Sequence, residues 1–198
     1  MTWLIIGVVL LVAFGPVLWL IPSKKDKRLA GLRERARVEG FVVELNRLPN
    51  LDPTAEERVS AGGRPRVAVI ECAGYSYTMA RNLEFLPTWR LLQTRQELPP
   101  ETQSSKNRRP GWEFETGRQP EREHLSAMLD ATDEVLEALP DDVVGLEVAR
   151  RRLTFYWLEK PGIELDVLAT LMAHFKAWEA RLRALDEKIL AAKNSEDS

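Results

Sequence analysis

The longest apolar run of the chain extends from Trp3 to Ile21 and contains nineteen residues, none of them charged. A helix of this length reaches roughly 28 Å, close to the hydrocarbon thickness of a bilayer. Trp3 and Trp19 lie near its ends, where indole rings favour the headgroup level, and Pro16 predicts a kink. The pattern predicts a single transmembrane anchor over residues 1–22.

A cleaved signal peptide is the alternative interpretation of the same run. Such peptides carry positive charge before the apolar stretch and small residues at the cleavage site after it. Here Met1 and Thr2 precede the run, and Leu20, Ile21, Pro22 and Ser23 follow it. These residues favour a retained span.

A short amphipathic helix is predicted after the anchor, over residues 23–40. Ser23 and Asp26 have the spacing of a capping box, and Gly40 supplies a stop. Between them the apolar residues recur at helical spacing, namely Leu29, Leu32 and Ala36.

Positive charge is concentrated on this predicted helix, with seven basic and three acidic residues between Pro22 and Gly40. Basic segments next to a span stay in the cytoplasm, so we expect the N-terminus outside and the C-terminal domain in the cytoplasm. In a bacterium the location is the inner membrane. The residues that would set this topology or contact lipid headgroups are Lys24, Lys25, Lys27, Arg28 and Arg33.

Strand patterns follow from residue 41. Arg66–Cys72 and Tyr75–Ala80 flank Ala73 and Gly74, which predicts a hairpin that turns at those two residues. Residues 46–65 and 99–110 are predicted to be loops because of their proline and polar content. The other predicted strands are Phe41–Leu45, Trp89–Thr94, Trp112–Glu115, and a second hairpin with a basic tip from Val143–Val148 and Leu153–Leu158.

Two helices are predicted in the second half of the chain. The first begins at Pro120 and ends before Pro140. The second covers residues 163–193 and carries apolar residues at alternating spacings of three and four, the pattern of a heptad seam. They are Leu168, Leu171, Phe175, Trp178, Leu182, Leu185 and Ile189.

Helix length bears on what this apolar stripe contacts. Thirty-one helical residues extend roughly 46 Å, whereas a strand of five or six residues offers only about 20 Å. The distal half is therefore predicted to project, with Leu182, Leu185 and Ile189 meeting a membrane-protein partner or a second copy of the chain. The alternative is that the whole stripe packs on the sheet of its own domain.

Together these elements predict an α+β fold, a small and mostly antiparallel sheet with two packed helices behind a transmembrane helix. The predicted boundaries are 1–22 for the anchor, 23–40 for the basic juxtamembrane helix, 41–162 for the α+β cytoplasmic domain, and 163–198 for the long C-terminal helix with a short disordered tail. With 198 residues, we expect one globular domain of ordinary size beside the membrane segment.

The amino-acid composition excludes some classes of function. The chain has 28 basic and 30 acidic residues, which argues against a protein that coats nucleic acid. The single cysteine, Cys72, excludes an intrachain disulfide and fits a reducing compartment. In its strand pattern it is predicted to be a small buried apolar group.

Catalytic motifs are absent from the sequence: there is no phosphate-binding loop, nucleophile elbow or HExxH helix. No catalytic, cofactor-binding or metal residue is therefore assigned, and no cofactor is expected. His124 and His174 lie on separate predicted helices, His174 as a flank of the apolar stripe.

Solvated surface roles are predicted for three other groups, each with a functional alternative. The carboxylates Asp130, Asp133, Glu134 and Glu137 form the wet face of a helix, and the alternative is a cation site. The hairpin tip Arg150–Arg152 has phosphate or lipid binding as its alternative, and Arg108, Arg109 with Trp112 have base stacking.

The layout from Pro22 to Leu45 resembles a known family. A span, then a proline, a basic helix with spaced Arg and Leu, a glycine and a β segment are similar to the small translocase-associated membrane protein YajC. The likeness covers the first quarter of the chain and lacks the glycine-rich β motif of that family, so no function is carried over. The whole chain is also similar to uncharacterised single-pass inner-membrane proteins of bacteria.

Two classes of function fit the sequence. The favoured one is a membrane-anchored, non-enzymatic accessory or scaffold protein that binds a protein partner through its cytoplasmic domain. The alternative is an enzyme or small-ligand module whose site is built from distant residues such as Arg95, Arg150 or His174. A polar pocket with titratable groups of shifted pKa would favour the second class, and an exposed apolar surface the first.

Overall fold

A computed structural model of the protein describes residues 23–94, 111–117, 120, 122–162 and 165–196. No helix in these ranges is both long enough and apolar enough to cross a membrane. The predicted anchor, including Trp3, Pro16 and Trp19, lies outside the described residues.

The fold is α+β, as predicted. Six antiparallel strands form one sheet in the order β1-β2-β6-β5-β3-β4. The bounds of the elements are α1 Lys24–Glu39, β1 Val42–Pro49, β2 Val69–Thr78, β3 Trp89–Gln93, β4 Trp112–Phe114, α2 Arg122–Ala138, β5 Val143–Ala149, β6 Arg152–Trp157 and α3 Val167–Glu196.

The chain divides into two compact units, Met1–Arg35 and Ala36–Ser198. In the first unit the predicted capping box is confirmed: the Ser23 hydroxyl accepts from the Asp26 N–H at 3.2 Å, and the Asp26 carboxylate accepts from the Ser23 N–H at 3.0 Å. In the second, Gly40 has φ +102° and ends α1, a conformation that glycine adopts without strain. The second unit contains the sheet together with α2 and α3, so the C-terminal helix is an integral part of the domain.

The aromatic core lies on one face of the sheet, between the strands and α3, and a smaller apolar cluster around Leu48, Cys72 and Tyr156 lies on the other. Tyr75 and Phe155 are opposite each other on β2 and β6, with ring centroids 5.0 Å apart. Phe175 of α3 contacts Phe155 edge-on at 5.4 Å, and all three side chains are fully buried. Trp178 joins the two helices, because its indole N–H donates to the Thr132 hydroxyl of α2 at 3.3 Å.

The predicted hairpin turn at Ala73 and Gly74 is wrong. Both residues lie within one ten-residue strand, β2, which pairs with β1 on one side and β6 on the other. Gly74 is needed there for space: a Cβ on it would lie 2.6 Å from the Asn46 amide nitrogen and 3.3 Å from the Tyr156 ring. The glycine thus marks a close approach of neighbouring side chains and not a turn.

The predicted projection of the distal half of α3 is also wrong. Leu182 is fully buried, Ile189 is 6% exposed and Leu185 is half-buried, so the domain itself covers the residues that we predicted would meet a partner. The length argument failed because it counted only the strands. The connection between β2 and β3, residues 79–88, extends the surface on which α3 packs.

Two buried carboxylates attach this connection to α3. Asp186 accepts from the backbone N–H groups of Glu84, Phe85 and Leu86 at 2.7 to 3.0 Å. Glu179, two turns earlier, accepts from the Ala80 N–H at 3.2 Å and from the Tyr77 hydroxyl at 2.7 Å. These bonds hold the connection along the helix face that carries Leu182 and Ile189.

Candidate functional site

Exposed apolar side chains are concentrated on β1, β2 and the connection between them. In the described ranges eight large apolar residues are exposed, and five of them belong to this hairpin. They are Val42 at 51%, Leu45 at 77%, Val59 at 44%, Val67 at 80% and Val69 at 50%. Scattered exposed apolar residues are ordinary, but a local concentration marks a candidate interaction surface.

Strand register places part of this set on one face. Leu45 is opposite Ala73, Arg47 is opposite Glu71, and Pro49 is opposite Val69. Residues opposite each other on paired strands point to the same face, and every second residue along one strand points to that face again. These positions therefore lie on the face of the sheet that carries Tyr75. We call the exposed members of this row the edge patch, defined as Leu45, Arg47, Val67, Val69 and Glu71.

The edge patch has an exposed ion pair at its centre. The Arg47 guanidinium lies 3.0 Å from the Glu71 carboxylate, and each side chain is 73% exposed. A pair this exposed contributes little to the free energy of folding, typically about 0–1 kcal/mol. Its two charges can therefore re-pair with a partner at small cost to the fold.

The edge patch also borders an edge strand. β1 is the first strand of the sheet order, and no other strand of the described residues pairs with its outer side. An edge strand presents alternate N–H and C=O groups to which an extended segment can add. Leu45 and the valines beside it then offer apolar contacts to the side chains of the added segment.

The connection from β1 to β2 is ordered by its own hydrogen bonds. Glu57 accepts from the Asn50 amide at 3.1 Å and from the Thr54 N–H at 2.9 Å, and the Thr54 hydroxyl accepts from the Glu57 N–H. The Asn50 N–H donates to the Ala68 carbonyl at 3.0 Å, which continues the pairing beyond β2. Val67 and Val69 are therefore displayed from a fixed backbone on either side of buried Ala68.

A polar network lies on the opposite face of the sheet. Arg90 of β3 donates to Glu147 of β5 at 2.7 and 2.9 Å and to Glu115 at 2.9 Å. The Tyr156 hydroxyl donates to the same Glu147 carboxylate, and the Arg90 guanidinium carbon lies 5.3 Å from the centre of the Tyr156 ring. The three charged side chains are only 13 to 19% exposed.

The surroundings of Tyr156 and Arg90 favour the protonated form of both side chains. Burial and the bond to Glu147 raise the pKa of Tyr156. Burial lowers the pKa of Arg90, but the Glu147 hydrogen bond and the charges of Tyr156, Glu147 and Glu115 outweigh it and the net shift is upward. Nearby, burial raises the pKa of the Cys72 thiol to about 11. The network thus pairs its charged groups with one another, as a structural cluster does, and its raised pKa values keep Tyr156 and Arg90 protonated at neutral pH.

A cavity of about 470 Å³ lies at one end of the sheet, between residues 80–85, the β5–β6 turn and α3. Its polar lining includes two arginines, Arg81 and Arg151, and the acidic residues Glu84, Asp186 and Glu187. The groups of the Arg90 network do not line it. This cavity and the Arg90 network are therefore separate sites.

The two candidate residues of the alternative function, an enzyme or small-ligand module, that the structure describes lie on different elements. Arg95 lies outside the described residues, Arg150 is exposed at the β5–β6 turn, and His174 is half-buried on α3 with Nδ1 3.6 Å from Glu134. Glu134 pairs instead with Arg181, which lowers the pKa of that carboxyl. Across the described part of the chain, no three His, Cys, Asp or Glu side chains are grouped as a metal site.

The predicted topology residues lie on α1. Lys24, Lys25 and Lys27 are exposed, and Arg28 and Arg33 are half-buried. Arg108 and Arg109 lie outside the described residues, and Trp112 opens β4.

No protein-family model, no characterised protein sequence and no solved structure matches this chain.

Sequence reasoning missed the edge patch because the residues that form it were assigned to a loop and to a hairpin. Residues 46–65 were predicted to be a connection, which concealed the second half of β1. Val67, Val69 and Glu71 were predicted within a strand, Arg66–Cys72, but valine alternates there with Ala68 and Ile70, so the sequence did not show which face is exposed.

Proposed function

We propose that this protein is a membrane-anchored, non-enzymatic accessory or scaffold protein of the bacterial inner membrane. Its cytoplasmic domain binds a partner protein, and the contact is made along β1 and the edge patch. The observation that carries this proposal is the concentration of exposed apolar side chains on the β1–β2 hairpin, at 44 to 80% exposure.

The chemistry of the edge patch favours an extended segment of the partner. A segment that adds beside β1 gains main-chain hydrogen bonds along a strand of eight residues. Leu45, Val67 and Val69 supply apolar contacts, while Arg47 and Glu71 select a segment that carries both signs of charge. The main-chain hydrogen bonds provide affinity, and the side chains of every second residue, which face the patch, provide specificity.

The predicted anchor and the basic helix α1 support the proposed location at the inner membrane, with the C-terminal domain in the cytoplasm. The nineteen uncharged residues from Trp3 to Ile21 are long enough to span, and the positive charge that follows them favours a cytoplasmic C-terminal domain. The anchor raises the local concentration of the edge patch for partners at the same membrane, so that a modest contact suffices.

A site-directed pull-down tests the proposal. Leu45→Asp/Val67→Asp places two charges in the edge patch, and Leu165→Asp is a matched change at a residue that is 46% exposed elsewhere. Each full-length variant is purified from membranes in mild detergent, and bound proteins are quantified by mass spectrometry. We expect the wild type and Leu165→Asp to retain the same partner, and the double variant to retain roughly thirtyfold less, the loss typical of a hot spot.

The three proteins must remain equally folded for this comparison. Leu45, Val67 and Leu165 are all exposed. We therefore expect each substitution to alter the free energy of unfolding by about 0.5 kcal/mol or less. Recovery of the bait alone, or of the same partner with all three proteins, would contradict the proposed contact.

A further inference from the structure

Four arginines lie close together at the end of the sheet that holds the β5–β6 turn. Arg150 and Arg151 form the turn, Arg152 begins β6, and Arg81 lies in the β2–β3 connection beside them. All four are exposed, and within the described ranges none has a carboxylate at salt-bridge distance. We call these residues the arginine cluster.

The backbone beneath the arginine cluster is fixed. The Met79 N–H donates to the Arg151 carbonyl at 3.0 Å, and the Leu83 N–H donates to the Arg150 carbonyl at 2.8 Å. The connection that supplies these donors is itself held to α3 by Glu179 and Asp186. A turn held in this way keeps its side chains at one place, so less conformational entropy is lost when they bind a ligand.

The surface beside the arginine cluster is amphipathic. Phe85 and Leu190 line the cavity of about 470 Å³ that Arg81 and Arg151 share, and Leu190 is 38% exposed. Lys193 adds a further cation, with its ammonium 5.5 Å from the centre of the Phe85 ring. The acidic lining residues are Glu84, Glu187 and Asp186, of which Asp186 is turned to backbone N–H donors.

We infer that the arginine cluster binds the phosphate groups of anionic phospholipid headgroups. Guanidinium groups bind phosphate through two parallel hydrogen bonds, and apolar side chains beside them favour a bilayer interface. The inference rests on the membrane anchor of the proposed function, because a tethered domain meets the leaflet at high effective concentration. Phe85 and Leu190 beside the cluster favour a bilayer interface over nucleic acid as the ligand, because a nucleic-acid backbone offers them no apolar surface.

A fluorescence experiment on the full chain tests this inference. With Cys72 replaced by alanine, Asn82→Cys puts an environment-sensitive dye beside the cluster, and the protein is reconstituted with a headgroup-quenching lipid. We expect stronger quenching in phosphatidylglycerol than in phosphatidylcholine bilayers, with each arginine contributing an affinity factor of about five. Arg150→Gln/Arg151→Gln/Arg152→Gln should bring quenching in phosphatidylglycerol close to the phosphatidylcholine level, because only Arg81 of the cluster remains.

A control with the same loss of charge is Arg64→Gln/Lys176→Gln/Lys188→Gln, at three exposed positions outside the cluster. It should quench like the wild type. Equal quenching in the two lipids, equal effects of the two triple variants, or a dye response to RNA in place of anionic lipid would each overturn the inference.

Carbonate extraction separates this inference from the proposed function. Release of the chain from membranes would show that the anchor is wrong, and added vesicles would then replace reconstitution in the same assay. Lipid-dependent quenching of the released chain would still support the arginine cluster.

Discussion

Two glycines flank Tyr156 in the centre of the sheet. Gly74 is its neighbour on β2, and Gly145 is its neighbour on β5. A Cβ on Gly145 would lie 3.0 to 3.1 Å from Leu48, Tyr156 and Leu92, which are all buried. The missing side chains make room for the ring that closes the Arg90 network.

Gly145→Ala is therefore expected to lower the free energy of unfolding by about 1–3 kcal/mol, the usual cost of overpacking a core. Gly62→Ala is the matched control, because a Cβ there would meet nothing within 4 Å. Denaturant unfolding in detergent micelles measures both. If the two variants are equally stable, the packing over Gly145 is looser than described.

Cys72 gives the stability of the domain a dependence on alkaline pH. Burial raises the pKa of its thiol from 9.0 to about 11, so the folded protein keeps the proton over a range in which the unfolded chain loses it. The stability that this represents is complete below pH 9 and is lost as pH rises toward 11.

Over that window we expect the free energy of unfolding to fall by about 2 kcal/mol on account of Cys72 alone. The decline should be shallower in Cys72→Ala, measured by denaturant titration at several alkaline pH values. Parallel curves for the two proteins would argue that the thiol is not buried. Tyr156 and Tyr77, whose pKa values are also raised, add to the decline at higher pH in both proteins.

At the scale of elements, α3 is the part whose environment sequence reasoning misjudged most. Its apolar stripe is buried to Ile189, because residues 79–88 pack against its distal half through Asp186. The stripe therefore contributes to the folding of the domain and is not free for association.

Leu182→Ala is expected to cost about 2–5 kcal/mol of stability, as for other fully buried leucines. Leu190→Ala, at a position one-third exposed on the same helix, should cost much less. Thermal or denaturant unfolding distinguishes them. A fully stable Leu182→Ala protein would restore the idea of a projecting helix.

Local periodicity predicted most elements, since β3, β4, α2 and the β5–β6 hairpin lie where it placed them. It failed where the deciding contact came from far along the chain. Gly74 was interpreted as a turn because its role depends on Tyr156, eighty-two positions later. The roles of Glu179 and Asp186 could not be predicted locally, because the backbone N–H groups that donate to them lie about a hundred residues away.

At the scale of the whole molecule, the sheet of the described domain has an open edge at β1. The domain buries its aromatic core on one face and its Arg90 network on the other, while β1 and the edge patch stay uncovered by the described chain. An uncovered edge strand can pair with strands of other chains and cause aggregation, so natural proteins usually protect it. A partner that occupies the edge at the membrane would provide that protection.

Photo-crosslinking in intact membranes tests this account most directly, with a benzophenone amino acid placed at Leu45 or, as the control, at Leu165 of the full chain. If a partner binds along β1 and the edge patch, we expect a crosslink to one partner protein from position 45 and none from position 165. We also expect the chain to resist carbonate extraction. No crosslink from position 45, equal crosslinks from both positions, or a chain recovered in the soluble fraction would contradict it.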